Sequence, residues 1–368
     1  MATTTIDPRR VHELNDETPA DHGPVVYWMQ ASVRTRENHA LEHAVRTAND
    51  LSAPMVVVFG LDPDYADATP RSMRFLIDGL VAVAGGLDRR GIPFVVRRGQ
   101  PGAVARELAK NASSIVTDRN YLREPQAWRR DLARSLRIPV VEVESNVVVP
   151  VEVTSDKREW AARTIRPKIH EHLDDFLVEL STTALDDRSA PDLDSLDASS
   201  IDALMEAAGI DGERDPRFEG GEHQAQATLD RFLDEGIGRY EQSGVDVSGD
   251  ASSHLSMYLH YGHISPARVA RAVRGSSANS EAKAGYLEEL VVRRELAHNF
   301  VWYAPDYDSF SALPDWARTT LDEHRDDERE EEYTKAEMEA AQTSDRCWNA
   351  AMLEMKETGY LHNRMRMY

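Results

Sequence analysis

The chain has 368 residues, 41% of them hydrophobic, a formal net charge of -21 and a single cysteine. That length accommodates two domains, each with its own core. The apolar runs are too short for a signal peptide or a membrane span, and a lone cysteine excludes an internal disulfide framework and fits a reducing cytoplasm. The acid is gathered in the runs Leu185–Asp202, Asp211–Asp215 and Asp322–Glu332, while only six of the 43 basic residues are Lys. This is the composition expected of a high-salt cytoplasm, and it leaves room for local Arg patches.

From Val25 to about Val149, short Val-rich runs alternate with amphipathic stretches. Val25–Met29, Met55–Phe59, Phe94–Val96, Ile115–Val116 and Val140–Val143 read as strands. Asn38–Asn49, Arg71–Arg89, Gly102–Lys110 and Pro125–Leu136 read as helices. This alternation predicts an α/β domain over residues 22–150, built on a doubly wound parallel sheet. Met29-Gln-Ala-Ser-Val-Arg-Thr-Arg36 follows the first strand where a glycine-rich phosphate loop would stand, which argues against a nicotinamide dinucleotide. A sheet of this kind still offers a crevice at its switch point.

Residues 151–220 read as a connector, with a helix over Glu159–Leu180 and then an acidic surface excursion, Thr182–Ser200. From Gly221 the period changes to 3.6, and residues 221–368 are predicted to be all-helical. The helices expected there are Gln224–Gly236, Ser256–Leu259, Ala267–Val273, Ser280–Tyr303, Ala317–His324 and Lys335–Ala341, followed by a closing pair. In that pair Trp348, Met352 and Met355 recur at helical spacing and Gly359 supplies a left-handed cap. The last helix presents His362, Asn363, Arg364 and Arg366 among Met and Tyr residues, a density of polar groups that suggests a buried anionic ligand. Its pattern stops short, and the chain is expected to lack a C-terminal part.

Ser252-Ser-His-Leu-Ser256 precedes a helical run. Its hydroxyls either cap that helix in the ordinary way or join its N–H groups in an anion site, with Arg239 and Tyr240 upstream to close over a phosphate. Farther on, Glu288, Glu289, Arg293, Glu295 and Asn299 are linked by three- and four-residue steps. Leu290, Val291 and Leu296 between them suggest a buried helix whose paired charges line a cavity. His254, His260 and His263 have no carboxylate or Cys to complete a ligand set, so they read as core or loop histidines and no metal is expected. Met257, Met352, Met355, Met365 and Met367 read as core filler, Trp28, Trp128 and Trp160 as packing residues, and Cys347 as a half-buried hydrophobe.

Six stretches in this order carry a family resemblance. They are Gly23-Pro-Val-Val-Tyr-Trp-Met29, Ser155-Asp-Lys-Arg-Glu-Trp-Ala-Ala-Arg-Thr-Ile-Arg-Pro-Lys168, Leu255-Ser-Met-Tyr-Leu-His-Tyr-Gly-His-Ile-Ser265, Glu289-Leu-Val-Val-Arg-Arg-Glu-Leu296, Tyr303-Ala-Pro-Asp-Tyr-Asp-Ser-Phe310 and Trp348-Asn-Ala-Ala351. From about Pro24 to Tyr368 the chain resembles the class II deoxyribodipyrimidine photolyases of the photolyase/cryptochrome family. The resemblance implies an α/β antenna domain followed by a helical flavin domain, in a cytoplasmic monomer with no membrane association. It implies action on UV-damaged DNA: a cyclobutane pyrimidine dimer is flipped from the stack and split by an electron from light-excited, reduced FAD.

By the same resemblance, Tyr240, Ser252, Ser253, His254, Leu255 and Ser256 would hold the FAD phosphates, with Glu295 and Arg366 also bordering the cofactor. Glu289 would contact the thymine carbonyls, and Trp348 would be the middle member of a tryptophan chain that re-reduces the flavin. Asn363 would sit near flavin N5 as in other photolyase classes, which share the His-Asn-Arg-x-Arg-Met pattern, whereas class II relatives commonly have Gly and an aromatic in place of Asn363-Arg364. Arg293 and Arg294 are the expected DNA contacts, Arg293 standing where some relatives carry an aromatic. Family analogy alone adds a second, deazaflavin-type antenna chromophore. The missing C-terminal helices would complete the pocket, so this chain by itself is expected to hold FAD weakly or not at all. The alternatives are a cryptochrome-like flavin photosensor without repair, or an inactive truncated remnant.

Overall fold

Five parallel strands and one antiparallel strand make a single sheet in the order β1-β6-β5-β2-β3-β4. The computed structural model describes residues 6–65, 68–211, 217–240 and 251–367, so Tyr368 and most of the acidic run Asp211–Asp215 lie outside the described residues. The parallel strands are β2 (Val25–Trp28), β3 (Met55–Leu61), β4 (Phe94–Arg98), β5 (Ser114–Asp118) and β6 (Val140–Val143). Their β-branched residues suit a sheet covered on both faces. β1 (Val11–Glu13) pairs antiparallel with β6, upstream of the first predicted strand. Val-His-Glu offers too little alternation to be read as a strand.

Successive side chains of β2 point to opposite faces. Val25 and Tyr27 pack under α1 (His39–Leu51) and α2 (Pro70–Asp88), while Val26 and Trp28 pack under α3 (Pro101–Leu108) and α4 (Arg123–Ser135). The doubly wound α/β arrangement is therefore as predicted. The stretch expected as a surface excursion is partly otherwise. Leu185 is buried in the sheet's core, the Leu196 amide donates to the Val96 carbonyl at 2.8 Å, and an unpredicted helix, Ile201–Ala208, seats Leu204 and Met205 there too. Acidic residues set the composition of this stretch and mask its few apolar anchors.

Beyond residue 220 the described residues are helical, and a second core gathers Ile165 and Ile169 with Leu229, Leu259, Val269 and Leu290. The predicted helix Ser280–Tyr303 is interrupted: regular turns over Ser280–Leu287 pass into a π turn, Glu288–Arg293, before Arg294–Tyr303 continues. Gly359 takes the expected left-handed conformation, at φ 69°. Three side chains depart from expectation. Cys347 is exposed, Met367 is 72% exposed, and Trp160 lies on the surface at 59% exposure. Among the described residues no helix is long and apolar enough to cross a membrane.

The sheet and the helices meet at Arg34, which is fully buried. It donates to the carbonyls of Gly262 (2.9 Å) and Ser145 (2.7 Å) and to Asn146 Oδ1 (2.9 Å). Gly262 has φ 72°, and a Cβ there would sit 2.0 Å from the Ala31 carbonyl oxygen. Both the backbone angle and the space therefore require glycine. Gly262→Ala is expected to cost about 3 kcal/mol of unfolding free energy, read from the midpoint shift in a denaturant titration.

Candidate functional site

A cleft of about 720 Å³ opens where the carboxyl ends of the strands face the helices. The loops after β2, β5 and β6 contribute Ala31, Arg119 to Leu122, and Asn146. Opposite them, Glu289, Leu290, Arg294, Ala297, His298 and Val301 line one wall. The π turn sets that register. Glu289 and Arg294 are five residues apart yet share the cleft face, whereas an unbroken α-helix would align Glu289 with Arg293. Arg293 instead points to the rim, 3.3 Å from Glu288, while Arg294 is half-buried and donates to the Asn146 carbonyl at 2.6 Å.

Hydroxyl groups converge at one end of the cleft: Ser253, Ser256, Tyr240 and Tyr286. Ser256 begins the short helix Ser256–His260, whose cap position is Leu255 with no side-chain capping bond. Ordinary capping by these serines is therefore not what the structure shows. Burial and the nearby Glu289 carboxylate push the Tyr240 hydroxyl up to about 12, and burial raises Tyr286 as well. Both phenols stay protonated and able to donate. Burial, aided by Arg294, lowers His260 and drops His298 to about 3, so both imidazoles are neutral.

Six residues named from the sequence thus meet here: Tyr240, Ser253, Ser256, Glu289, Arg294 and Arg366. Ser252, His254, Leu255, Arg293, Trp348 and Asn363 do not line the cleft. His254 packs its ring against Tyr360 at 4.9 Å, tying the closing helix pair to the serine segment, and Asn363 is exposed. Glu295 faces away from the cleft and corrects the idea of a cofactor contact. Its carboxylate accepts from the backbone amides of Val148 and Val149, and Asn299, one turn later, accepts from the Glu159 amide at 2.7 Å. Tyr286, His298, Arg119, Tyr121 and His260 were missed. Tyr286 stands three residues before Glu289, and His298 four after Arg294, so helical spacing could have found these two.

Arg119, buried beside the cleft, contacts Glu142 (2.6 Å), Glu144 (3.1 Å) and Glu152 (2.8 Å), and its guanidinium lies over Trp302 at 4.4 Å. His12, Glu144 and Glu152 form the one cluster with metal-like spacing among the described residues. The guanidinium already supplies the cation there. His263, for its part, accepts from the Gly221 amide at 3.0 Å and stacks on Phe75.

A second crevice, of about 460 Å³, lies at the switch point between β2 and its neighbours β3 and β5, as the sheet pattern anticipates. Met29 to Ala31, Phe59 to Leu61, Tyr65 and Trp128 line it. Ala31, Asn120, Leu122 and His260 border both spaces, so a single layer of residues separates them.

The model of the DNA photolyase family matches residues 25–187. A deoxyribodipyrimidine photo-lyase of Methanothermobacter thermautotrophicus is 44% identical over 368 residues, spanning 99% of this chain and 80% of that protein. One from Arabidopsis thaliana is 36% identical over 392 aligned positions, spanning 100% and 77%. The crystal structure of a Synechocystis cryptochrome superposes with a TM-score of 0.71 at 18% identity, covering 94% of this chain and 73% of that one, and so shares the fold.

Burial pushes the Glu295 carboxyl up to about 8 from an ordinary 4.5, although the Val148 and Val149 amides and Arg294 favour its charge. A carboxyl raised on folding binds its proton more tightly in the folded state. Its contribution to stability is therefore complete at low pH and is lost as the pH rises through about 8. Glu295→Gln stays uncharged. Relative to this variant, the wild-type melting temperature should fall between about pH 5 and about pH 8; parallel profiles would show that Glu295 stays ionised throughout.

Proposed function

Because the chain belongs to the deoxyribodipyrimidine photo-lyase family, we propose that it is a class II enzyme that splits cyclobutane pyrimidine dimers in DNA under blue light. One observation carries the reading. Tyr240, Ser253, Ser256, Glu289, Arg294 and Arg366 come from four separate stretches of sequence and border a single space of about 720 Å³. That volume lies within the roughly 300–1,000 Å³ of small-molecule sites, and convergent hydroxyls beside arginines suit a dinucleotide with a pyrophosphate. The residues present therefore fit FAD, which in its reduced, light-excited form supplies a single electron to the dimer and takes it back.

The chain's own groups hold and orient. Tyr240, protonated at neutral pH, donates with Ser253 and Ser256 to phosphate oxygens. Arg366 places a fixed positive charge beside the cofactor. Glu289 hydrogen-bonds the carbonyls of a flipped-out dimer, and Arg293 at the rim meets the phosphates of the damaged strand. Trp348, half-buried on its helix, belongs to the path that returns electrons from the surface. Asn363 stays outside this assignment because it does not border the cleft, and Glu295 because its carboxyl oxygens accept from backbone amides. The crevice bordered by Tyr65 and Trp128 suits a flat second chromophore.

Irradiated oligonucleotides mixed with the protein, FAD and a reductant should lose dimers under blue light and keep them in the dark. Glu289→Ala should lower the yield roughly ten- to hundredfold, the worth of a hydrogen bond to a charged group, while flavin absorbance is retained. Undiminished dimers in the light, despite bound reduced flavin, would reject the reading in favour of a photosensor.

A further inference from the structure

A third cavity, of about 800 Å³, lies where the first turn of α2 meets the end of the helix Arg346–Thr358. Arg71, Phe75, Tyr261, Met355 and Thr358 are among the residues that line it. Apolar packing of the closing helices is thin: neither Arg346–Thr358 nor Asn363–Met367 has a buried residue. Polar contacts therefore decide where they sit. Arg71 spans the gap, its guanidinium donating to the carbonyls of Lys356 (3.1 Å), Glu357 (3.2 Å) and Met355 (3.5 Å). The last carbonyls of a helix have no donor within it and form the negative end of its dipole, so a cation there meets both needs. The planar fork of Arg can reach neighbouring carbonyls together.

Arg71 itself is held firmly. Thr69 and Ser72 close a capping box around it, with bonds of 2.9 and 3.1 Å, and Ile77 and Leu80 anchor α2 in the sheet's core. Beyond the gripped helix end, Gly359 turns the chain at φ 69°, and Tyr360 sets its ring 4.9 Å from His254 and 4.9 Å from the Arg217 guanidinium. Arg366 on the next helix then borders the cleft. The Arg217–Glu354 pair, at 3.5 Å, is partly solvent-facing and contributes little by comparison. A shift of the gripped end carries everything after Gly359 with it, and Arg366 is the part that reaches the site.

We propose that Arg71 is a positioning residue: by capping the helix Arg346–Thr358 from the α/β domain, it holds the closing helix pair where Arg366 meets the cleft. The inference rests on the reading that the cleft takes FAD, and it adds that a residue outside the cleft, on the other domain, sets the affinity. Arg71 touches no cleft residue and acts through the helix it caps. The benefit is preorganisation, since a charge already in place costs less ordering when the cofactor arrives.

Titration of FAD into the full chain, followed by flavin fluorescence, tests this. Arg71→Gln should bind FAD about tenfold more weakly, and Arg71→Lys, which keeps the charge, should recover part of the loss. In an Arg366→Gln background the Arg71→Gln change should weaken binding no further, because the group it positions is already gone. In the flavin-free chain, amide hydrogen exchange across residues 346–367 should quicken in Arg71→Gln while the sheet amides keep wild-type rates. Wild-type FAD affinity in Arg71→Gln would overturn the proposal. So would an equal loss in both backgrounds, which would mark a contribution to stability alone. If neither the wild type nor any variant binds FAD, the flavin reading of the cleft fails and exchange decides by itself: quickened exchange upholds the clasp, and unchanged exchange overturns it.

Discussion

Two side chains on one helix face, Glu295 and Asn299, hold the chain together where it leaves the sheet. Past β6 the backbone has no strand to pair with, and its buried amides still need acceptors. Glu295 supplies them to Val148 and Val149, and Asn299 to Glu159. On the other side Arg10, also buried, donates to the carbonyls of Glu144, Val147 and Val148. Donors and acceptors of one irregular segment are thus satisfied from two directions. Burying a charge there is costly, and the amides offset only part of that cost, so the Glu295 carboxyl keeps its proton up to about pH 8.

The clamp fixes the cleft because the same helix supplies its wall. Once Glu295 and Asn299 are turned toward the connector, Arg294, Ala297, His298 and Val301 face the opposite way. The π turn upstream then absorbs one extra residue, so that Glu289 joins them while Tyr286 and Leu290 keep their places. Arg119 and Tyr121 close the far side at the carboxyl end of β5, with the carboxylates of Glu142 and Glu144 beneath them. Arg119, Tyr121, Arg294 and His298 are each held by a neighbour behind them, which is the condition for a preorganised site.

How much of this was legible follows from what each signal needs. Val-rich runs and a 3.6 period are properties of consecutive residues, so the sheet, its crevice and the helical second half could be read directly. Tyr240 and the serine segment stood out locally, as hydroxyls at a helix start, and resemblance, which transfers position along the chain, added their expected role. Resemblance placed Glu295 at the cofactor for the same reason, although adjacent helix residues point some 100° apart and only packing decides which one faces the cleft. The π turn and β1 were invisible, because the first alters periodicity by one residue and the second spans three. Arg119 and Tyr121 lie more than a hundred residues before Glu289 and Arg294, which face them across the cleft, beyond any local pattern.

The layer of Ala31, Asn120, Leu122 and His260 gives the two cavities a common boundary. A replacement there is felt on both sides at once: enlarging Leu122 narrows two spaces, and removing the neutral ring of His260 merges them. A substitution at any of these four positions must therefore suit both spaces at once. The partition thus couples the shapes of two spaces whose remaining walls come from different parts of the chain.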